Sequence, residues 1–284
     1  MGERTGSEDG SGTYVLGHSD AELRRLAAQA LVKDPMTRRF VTEAGVERGM
    51  RVLDVGSGAG DVAMLLANIV GNSGKVVGFD RSAAALEVAR AKVAARSWKN
   101  VTFVAGTAAD LPPGEPFDAV VGRYVLQFQA DPSHLLAEVA ALARPGAPIV
   151  FHELDWSGVS STPPVPTYDQ ACSWGLRAVE SSGATAHMGA RLPETFRSAG
   201  LADPVLRQER LMATGVHVGG PLERFADLMR TLTPTIVAQS IATVEELDIE
   251  SLLDRMLAEV AAVDSTITGH TEVGAWSFAA RGPA

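Results

Sequence analysis

The feature that most constrains this chain is the run Arg51-Val-Leu-Asp-Val-Gly-Ser-Gly-Ala-Gly60, followed by Val76-Val-Gly-Phe-Asp80. A short apolar run ends in a glycine turn, a helix-like segment follows, and a second apolar run ends in a carboxylate. A βαβ unit of this kind holds an adenine nucleoside. The glycines let the backbone approach the ligand, and the acid accepts hydrogen bonds from the ribose hydroxyls. The spacing then separates one nucleoside from another. A dinucleotide turn reads Gly-x-Gly-x-x-Gly, and here Asp61 stands where the third glycine is needed. An anion suits a helix start but repels a pyrophosphate. With Asp54 at the strand end, two carboxylates border the turn. They fit a ligand with an ammonium and a sulfonium better than one with phosphates.

Around this unit, apolar runs alternate with helical patterns. Expected strands are Arg51–Val55, Lys75–Phe79, Val101–Ala105, Ala119–Gly122 and Pro148–Glu153. They lack clean period-2 alternation, as expected of a parallel sheet covered on both faces. Ser82 and Asp131, the latter followed by Pro132, read as helix N-caps. Ahead of this core, residues 1–12 are a Gly/Ser-rich tail. Ser19-Asp-Ala-Glu22 is a capping box opening one helix, and a second helix is expected over roughly Pro35–Ala44. Past Asp155 the pattern changes. Residues 156–167 read as a loop, helices follow around Tyr168–Ser182 and Arg191–Ala199, and a strand lies near Val205–Leu211. Two further helices come next. One opens at Gly220-Pro221 and closes before Pro234, and one follows the capping box Thr243-Val-Glu-Glu246; a last strand covers Val273–Ala280. The expected division is a tail (1–12), a helical arm (13–49), a core (50–211), a helical cap (212–272) and the last core strand (273–284).

Composition narrows the partners. A net charge of −9 with no clustered Lys/Arg run argues against nucleic acid as the main partner. Apolar content of 46% and charged content of 21% are those of an ordinary soluble protein. No stretch approaches the length of a membrane span, and the start Met1-Gly-Glu-Arg-Thr-Gly is read as no signal peptide. Cys172 is the single cysteine, so no internal disulfide and no cysteine-rich metal site can form. The expectation is a cytoplasmic protein with a small-molecule partner, no nucleic acid and no membrane; a homodimer stays open.

The Asp-x-Gly-x-Gly-x-Gly run of residues 54–60, with Asp80, resembles motif I of class I S-adenosylmethionine (SAM)-dependent methyltransferases. Residues 50–155 look like their cofactor-binding half, particularly in the branch that methylates quinone precursors and natural products. The resemblance implies an α/β, Rossmann-like, seven-stranded, mostly parallel sheet with helices on both faces. It also implies a last antiparallel strand inserted between strands 5 and 6, an N-terminal helical arm, and a helical cap before the last strand. SAM is the implied cofactor, and S-adenosylhomocysteine (SAH) its product. The resemblance places the ribose at Asp80 with Arg81 beside it, and the methionine moiety at Gly56, Ser57 and Gly58. Asp54 falls at the ammonium end, and Arg123 at the methionine carboxylate or the substrate. Tyr14 and Gln29 fall on the arm that closes over the cofactor. After strand 3 the family reads Gly-Asp-Ala; this chain reads Gly106-Thr107-Ala108, so Thr107 and Ala108 take the adenine contact with a hydroxyl in place of a carboxylate.

Methyl transfer from a sulfonium leaves a neutral thioether, so the protein's task is alignment and exclusion of water. A base is needed only where the acceptor loses a proton. The most polar strand end is His152-Glu153, which makes these two the candidate catalytic residues. They face opposite ways on a regular strand, so both cannot serve, and a histidine bonded inside the sheet edge competes with His152 as base. Candidate acceptor contacts are His18, Phe128, Trp156, His187 and His217, with plain core packing the competing explanation for the apolar stripes. No His/Cys/Asp/Glu set shows metal-ligand spacing. The expected function is transfer of methyl to O, N or C of a small, largely apolar metabolite. The alternative is a SAM-binding enzyme that uses the cofactor electrostatically, for cyclisation or a similar reaction. A nucleotide-sensing module and an NAD(P) enzyme are further rivals.

Overall fold

The computed structural model describes residues 20–280, with side chains from Val32 onward. The chain opens with α1 (Asp20–Glu43). The core then runs β1 (Arg51–Val55), α2 (Asp61–Val70), β2 (Lys75–Asp80), α3 (Ala83–Ala95), β3 (Val101–Ala105), β4 (Ala119–Arg123), α4 (Pro132–Ala140) and β5 (Pro148–Asp155). Next come β6 (Ser160–Thr162), α5 (Pro166–Ser181), α6 (Met188–Ser198) and β7 (Val205–Ala213). The last elements are α7 (Gly219–Ala238), α8 (Val244–Leu247), α9 (Leu252–Val263) and β8 (Thr266–Phe278).

The strands form one sheet of order β3-β2-β1-β4-β5-β8, with β7 on the far side of β8 and β6 pairing the start of β8. Strands β1 to β5 are parallel; β8 runs antiparallel to both β5 and β7. The last strand is thus inserted as expected. Among the described residues the sheet has eight strands rather than seven, because Ser160–Thr162, read as loop, pairs with Thr266–Thr268. The chain leaves β1 toward β2 and β3 and returns to β4 on the other side. The carboxyl ends of β1 and β4 therefore flank a crevice, where open α/β sheets bind ligands.

Three apolar clusters fill the interior of the described residues. Val52, Val121, Val150 and Trp276 point to one face, under Met36, Phe40 and Val41 of α1 and Leu65 and Leu66 of α2. Leu53, Val120, Ile149 and Ala275 point to the other, under Leu136 of α4 and Leu192 and Phe196 of α6. A separate cluster joins α5, α7, α8 and α9, so the helical layer includes α5 and is not confined to residues 212–272. Among the described residues no helix is long and apolar enough to cross a membrane.

Several boundaries differ from expectation. Helix α1 is continuous through Pro35, and α7 through Pro234. A proline inside a helix removes a hydrogen bond and costs about 3 kcal/mol, but Leu232 and Ile236 on either side of Pro234 are fully buried, and their packing holds the helix on course. The pattern after the Thr243 capping box is two helices, broken at Asp248 with φ 38°. Strand β8 begins at Thr266 rather than Val273, because β6 and β7 both pair with its first residues.

Candidate active site

The glycine turn leaves β1 with Gly56 at φ +63°, and a Cβ there would stand 2.7 Å from the Val125 side chain. Gly60, at φ +82°, lies so close to α3 that a Cβ would stand 2.8 Å from that of Ala89. These glycines let strand, turn and helix close on one another. Ser57 fixes the turn from below, its amide donating to the Phe79 carbonyl at 2.9 Å and its hydroxyl to the same oxygen at 3.1 Å. At the end of β2, Asp80 accepts from the amides of Gly58 and Ser82, each at 2.8 Å and each on a different carboxylate oxygen. One lone pair on each oxygen is used in this way. The others are free to accept from a vicinal diol.

Beneath the turn, Asp54 is 1% exposed, and neither of its carboxylate oxygens has a hydrogen-bond partner. Burial pushes this carboxyl up to about 8, the Arg123 cation opposing and the Asp80 anion adding to the shift. Asp61 is not a second free anion, since it pairs with Lys92 of α3 at 2.8 Å. Arg123, at the end of β4, donates to Asp34 at 2.8 Å and to Thr37 at 3.1 Å on α1. The Thr107 amide and hydroxyl both donate to Asp110, at 2.8 and 3.0 Å, so the hydroxyl is turned toward a local cap.

A cavity of about 870 Å³ opens on this turn. Gly56, Ser57, Gly58, Asp80, Arg81, Thr107, Ala108, Arg123, Phe128 and Trp156 all line it. From the cofactor turn it extends to an apolar chamber walled by Trp156, Tyr168, Phe225, Leu228, Leu232 and Ile267. Its volume lies within the range of enclosed small-molecule sites. Tyr14, His18 and Gln29 lie outside the residues whose side chains are described.

The strand end at His152-Glu153 does not supply a wall of this cavity. The His152 ring lies under α1, Nδ1 2.9 Å from the Thr37 hydroxyl and Nε2 2.9 Å from Glu272. Glu153 points to the opposite face and accepts from the amides of Val125, Leu126 and Gln127 at 2.9, 2.8 and 3.4 Å. Both side chains are therefore consumed in holding the ends of β4 and β5, which corrects the expectation that one of them serves as base. His187 is occupied with Asp155 at 3.2 Å, and His217 sits in an exposed turn; neither borders the cavity.

The residue that sequence reasoning missed is His270. It lines the cavity, with its ring 4.2 Å from that of Trp156 and 6.4 Å from that of Phe225, and its Nε2 is buried without a partner. It was hidden because residues up to 272 read as helical insert. The spacing His270-Thr-Glu272, in a run of Thr, Ile and Val, was the available sign of a strand with two polar groups on one face. Lys33, Tyr124 and Gln127 also line the cavity and were not anticipated. Among the described residues no group of three or more His, Cys, Asp or Glu is placed to hold a metal ion.

Comparison with known proteins agrees with this geometry. The family described as "Methyltransferase domain" matches residues 46–198, more than half of the chain. A demethylmenaquinone methyltransferase of Symbiobacterium thermophilum is 36% identical over 118 residues, covering 41% of this chain and 47% of its own. A 2-phytyl-1,4-naphtoquinone methyltransferase of Synechococcus elongatus is 41% identical over 113 residues, covering 39% and 48%. The chain thus spans about half the length of the curated relatives it matches. The solved structure of the YcgJ protein from Bacillus subtilis covers 87% of this chain and 99% of its own at 18% identity, with a TM-score of 0.56, a likeness of fold. The glycine turn, the acid at the end of β2 and the family match lead to one conclusion: the chain belongs to the methyltransferase-domain family.

Proposed function

We propose that this protein transfers a methyl group from SAM to a small, largely apolar acceptor, the relatives' names pointing to naphthoquinone-like rings as the substrate class to try first. The observation that carries this reading is the continuous cavity from Asp80 to the aromatic chamber, with the Asp54 carboxyl buried behind the turn that lines its cofactor end. An orphaned buried carboxyl fits a cationic amine, and Asp80, with its spare lone pairs, fits a ribose diol. SAM, when bound, supplies an electrophilic methyl on a sulfonium.

The chain's residues do the remaining work. Asp80 holds the sugar, the amides and φ of the glycine turn shape the passage for the methionine chain, and Asp54 and Arg123 set the charge beneath it. The aromatic and aliphatic chamber excludes water and confines the acceptor, which is the main protein contribution to a displacement of this kind. In this reading α5 and α7–α9 form the acceptor cap over the β-sheet core, and the reaction takes place in the cytoplasm.

Incubation with methyl-labelled SAM and a panel of hydroxylated naphthalenes and naphthoquinols tests the proposal. We expect SAH formation in step with label in the organic phase, and SAM affinity weakened about tenfold or more in Asp80→Ala, as for loss of hydrogen bonds to a charged group. Tight SAM binding with no transfer to any acceptor rules out methyl transfer. Absence of SAM and SAH binding, indifferent to Asp80, rules out the cofactor.

A further inference from the structure

Among the described residues, three buried side-chain atoms lack hydrogen-bond partners: the two carboxylate oxygens of Asp54 and Nε2 of His270. The first pair belongs to β1, buried beneath the glycine turn and outside the cavity's lining. The second belongs to β8, three strands further along the sheet and six residues along β8 from Trp276, the position level with Asp54. A buried polar atom without a partner costs free energy that the apolar walls around it do not return. Folded proteins leave few such atoms, and those they leave call for an explanation.

Two other polar groups of the cavity wall, Lys33 and Tyr124, are already engaged. Lys33 pairs with Glu272, and the Tyr124 hydroxyl donates to Glu272 at 2.6 Å. Glu272 in turn contacts His152 at 2.9 Å. His270 stands outside this closed network, two residues along β8 from Glu272, where β8 shifts register against β7. Its ring is set edge-on to Trp156, with an interplanar angle of 71°, and Phe225 of α7 lies beyond it. Burial, with the nearby Lys33 ammonium, holds the imidazole down at about 4 against the pull of Glu272. The ring is therefore neutral at ordinary pH, and a neutral imidazole always has one nitrogen able to accept a hydrogen bond.

We propose that His270 is the acceptor-recognition residue, its imidazole accepting a hydrogen bond from an O–H or N–H carried by an apolar ring system seated against Trp156 and Phe225. A turn of the ring about its Cβ–Cγ bond presents the nitrogen to the chamber. The site then selects flat, largely apolar molecules with a hydrogen-bond donor on the ring, and rejects isosteres that lack it, because an isostere leaves the nitrogen unmet. This assignment rests on the reading of the chamber as the acceptor site.

The test uses the full-length protein loaded with SAH, with 2-naphthol and 2-methylnaphthalene as matched probes, followed by calorimetry. Wild type is expected to prefer the naphthol by about tenfold or more. His270→Leu should abolish that preference with SAH affinity unchanged within about twofold, and His270→Gln, whose amide oxygen still accepts, should restore part of it. The unchanged SAH affinity and the glutamine rescue separate recognition from a fold defect. A preference that persists in His270→Leu overturns the proposal, as does a wild type that binds both probes alike or neither. If SAH itself fails to bind, the cofactor reading fails, and the naphthol preference, measured without SAH, still judges His270 by itself.

Discussion

Asp54 is the residue whose environment makes least sense for folding alone. Its carboxyl is sealed beneath the glycine turn with no hydrogen bond of ordinary geometry, and burial, only partly offset by Arg123 and the Ala63 amide, pushes it up to about 8. In the unfolded chain it titrates near 4, so the native state binds the proton more tightly. Between about pH 4 and pH 8 stability must therefore fall as pH rises, by at most about 1.4 kcal/mol per unit from this group. Asparagine copies the protonated carboxyl. Asp54→Asn is expected to match wild type in denaturant melts at pH 4, to exceed it at pH 8, and to bind SAM about tenfold more weakly by calorimetry. A side chain kept for structure gives the reverse, with lower stability at both pH values and cofactor affinity unaltered. Stability gained together with affinity lost is the mark of a group held in place for a ligand.

At the scale of elements, the decisive contact is α1 across the carboxyl ends of β4 and β5 and the middle of β8. Glu272 gathers Lys33, His152 and Tyr124, and the chain of contacts continues through Thr37 to Arg123 and Asp34. Burial alone pushes the Glu272 carboxyl up, but Lys33 and His152 together outweigh it and hold the group down at about 2. Its contribution is present above the unfolded value near 4.3 and is lost as pH falls toward 2. Glu272→Ala strands a buried cation, an imidazole and a phenol. We expect a loss of about 3–5 kcal/mol in urea unfolding, as for one partner removed from a buried pair; a loss below about 1 kcal/mol contradicts the network. This network also explains what the sequence could and could not tell. Glycine spacing and the acid at Asp80 identify β1, α2 and β2, because the turn chemistry is local. The role of His152 was not legible, since strand alternation says which residues share a face but not which helix covers it. That helix is α1, more than a hundred residues away in the chain, and only the fold brings Thr37 and Glu272 to the ring. The span of β8 was hidden for a related reason: its first residues carry only a faint strand pattern and are ordered by pairing with β6 and β7.

At the scale of the whole molecule, the cavity lies where two construction schemes meet. The sheet supplies the glycine turn, Asp80 and Arg123, and the helical layer supplies Tyr168, Phe225, Leu228 and Leu232. The curated relatives match only about two fifths of this chain, so acceptor preference cannot simply be carried over from them. The two halves should then respond separately to substitution. Leu228 lies on α7, partly buried, at the chamber wall and away from the glycine turn. Leu228→Trp fills part of the chamber without touching Asp54 or Asp80. We expect binding of 2-naphthol to weaken about tenfold, the order of effect for a changed fit in an apolar pocket, while SAM affinity stays within about twofold by calorimetry. Equal losses for both ligands mean that cofactor and acceptor share one undivided site. A loss confined to SAM means that the acceptor enters elsewhere, and the apolar chamber is then no more than the interior of the helical layer.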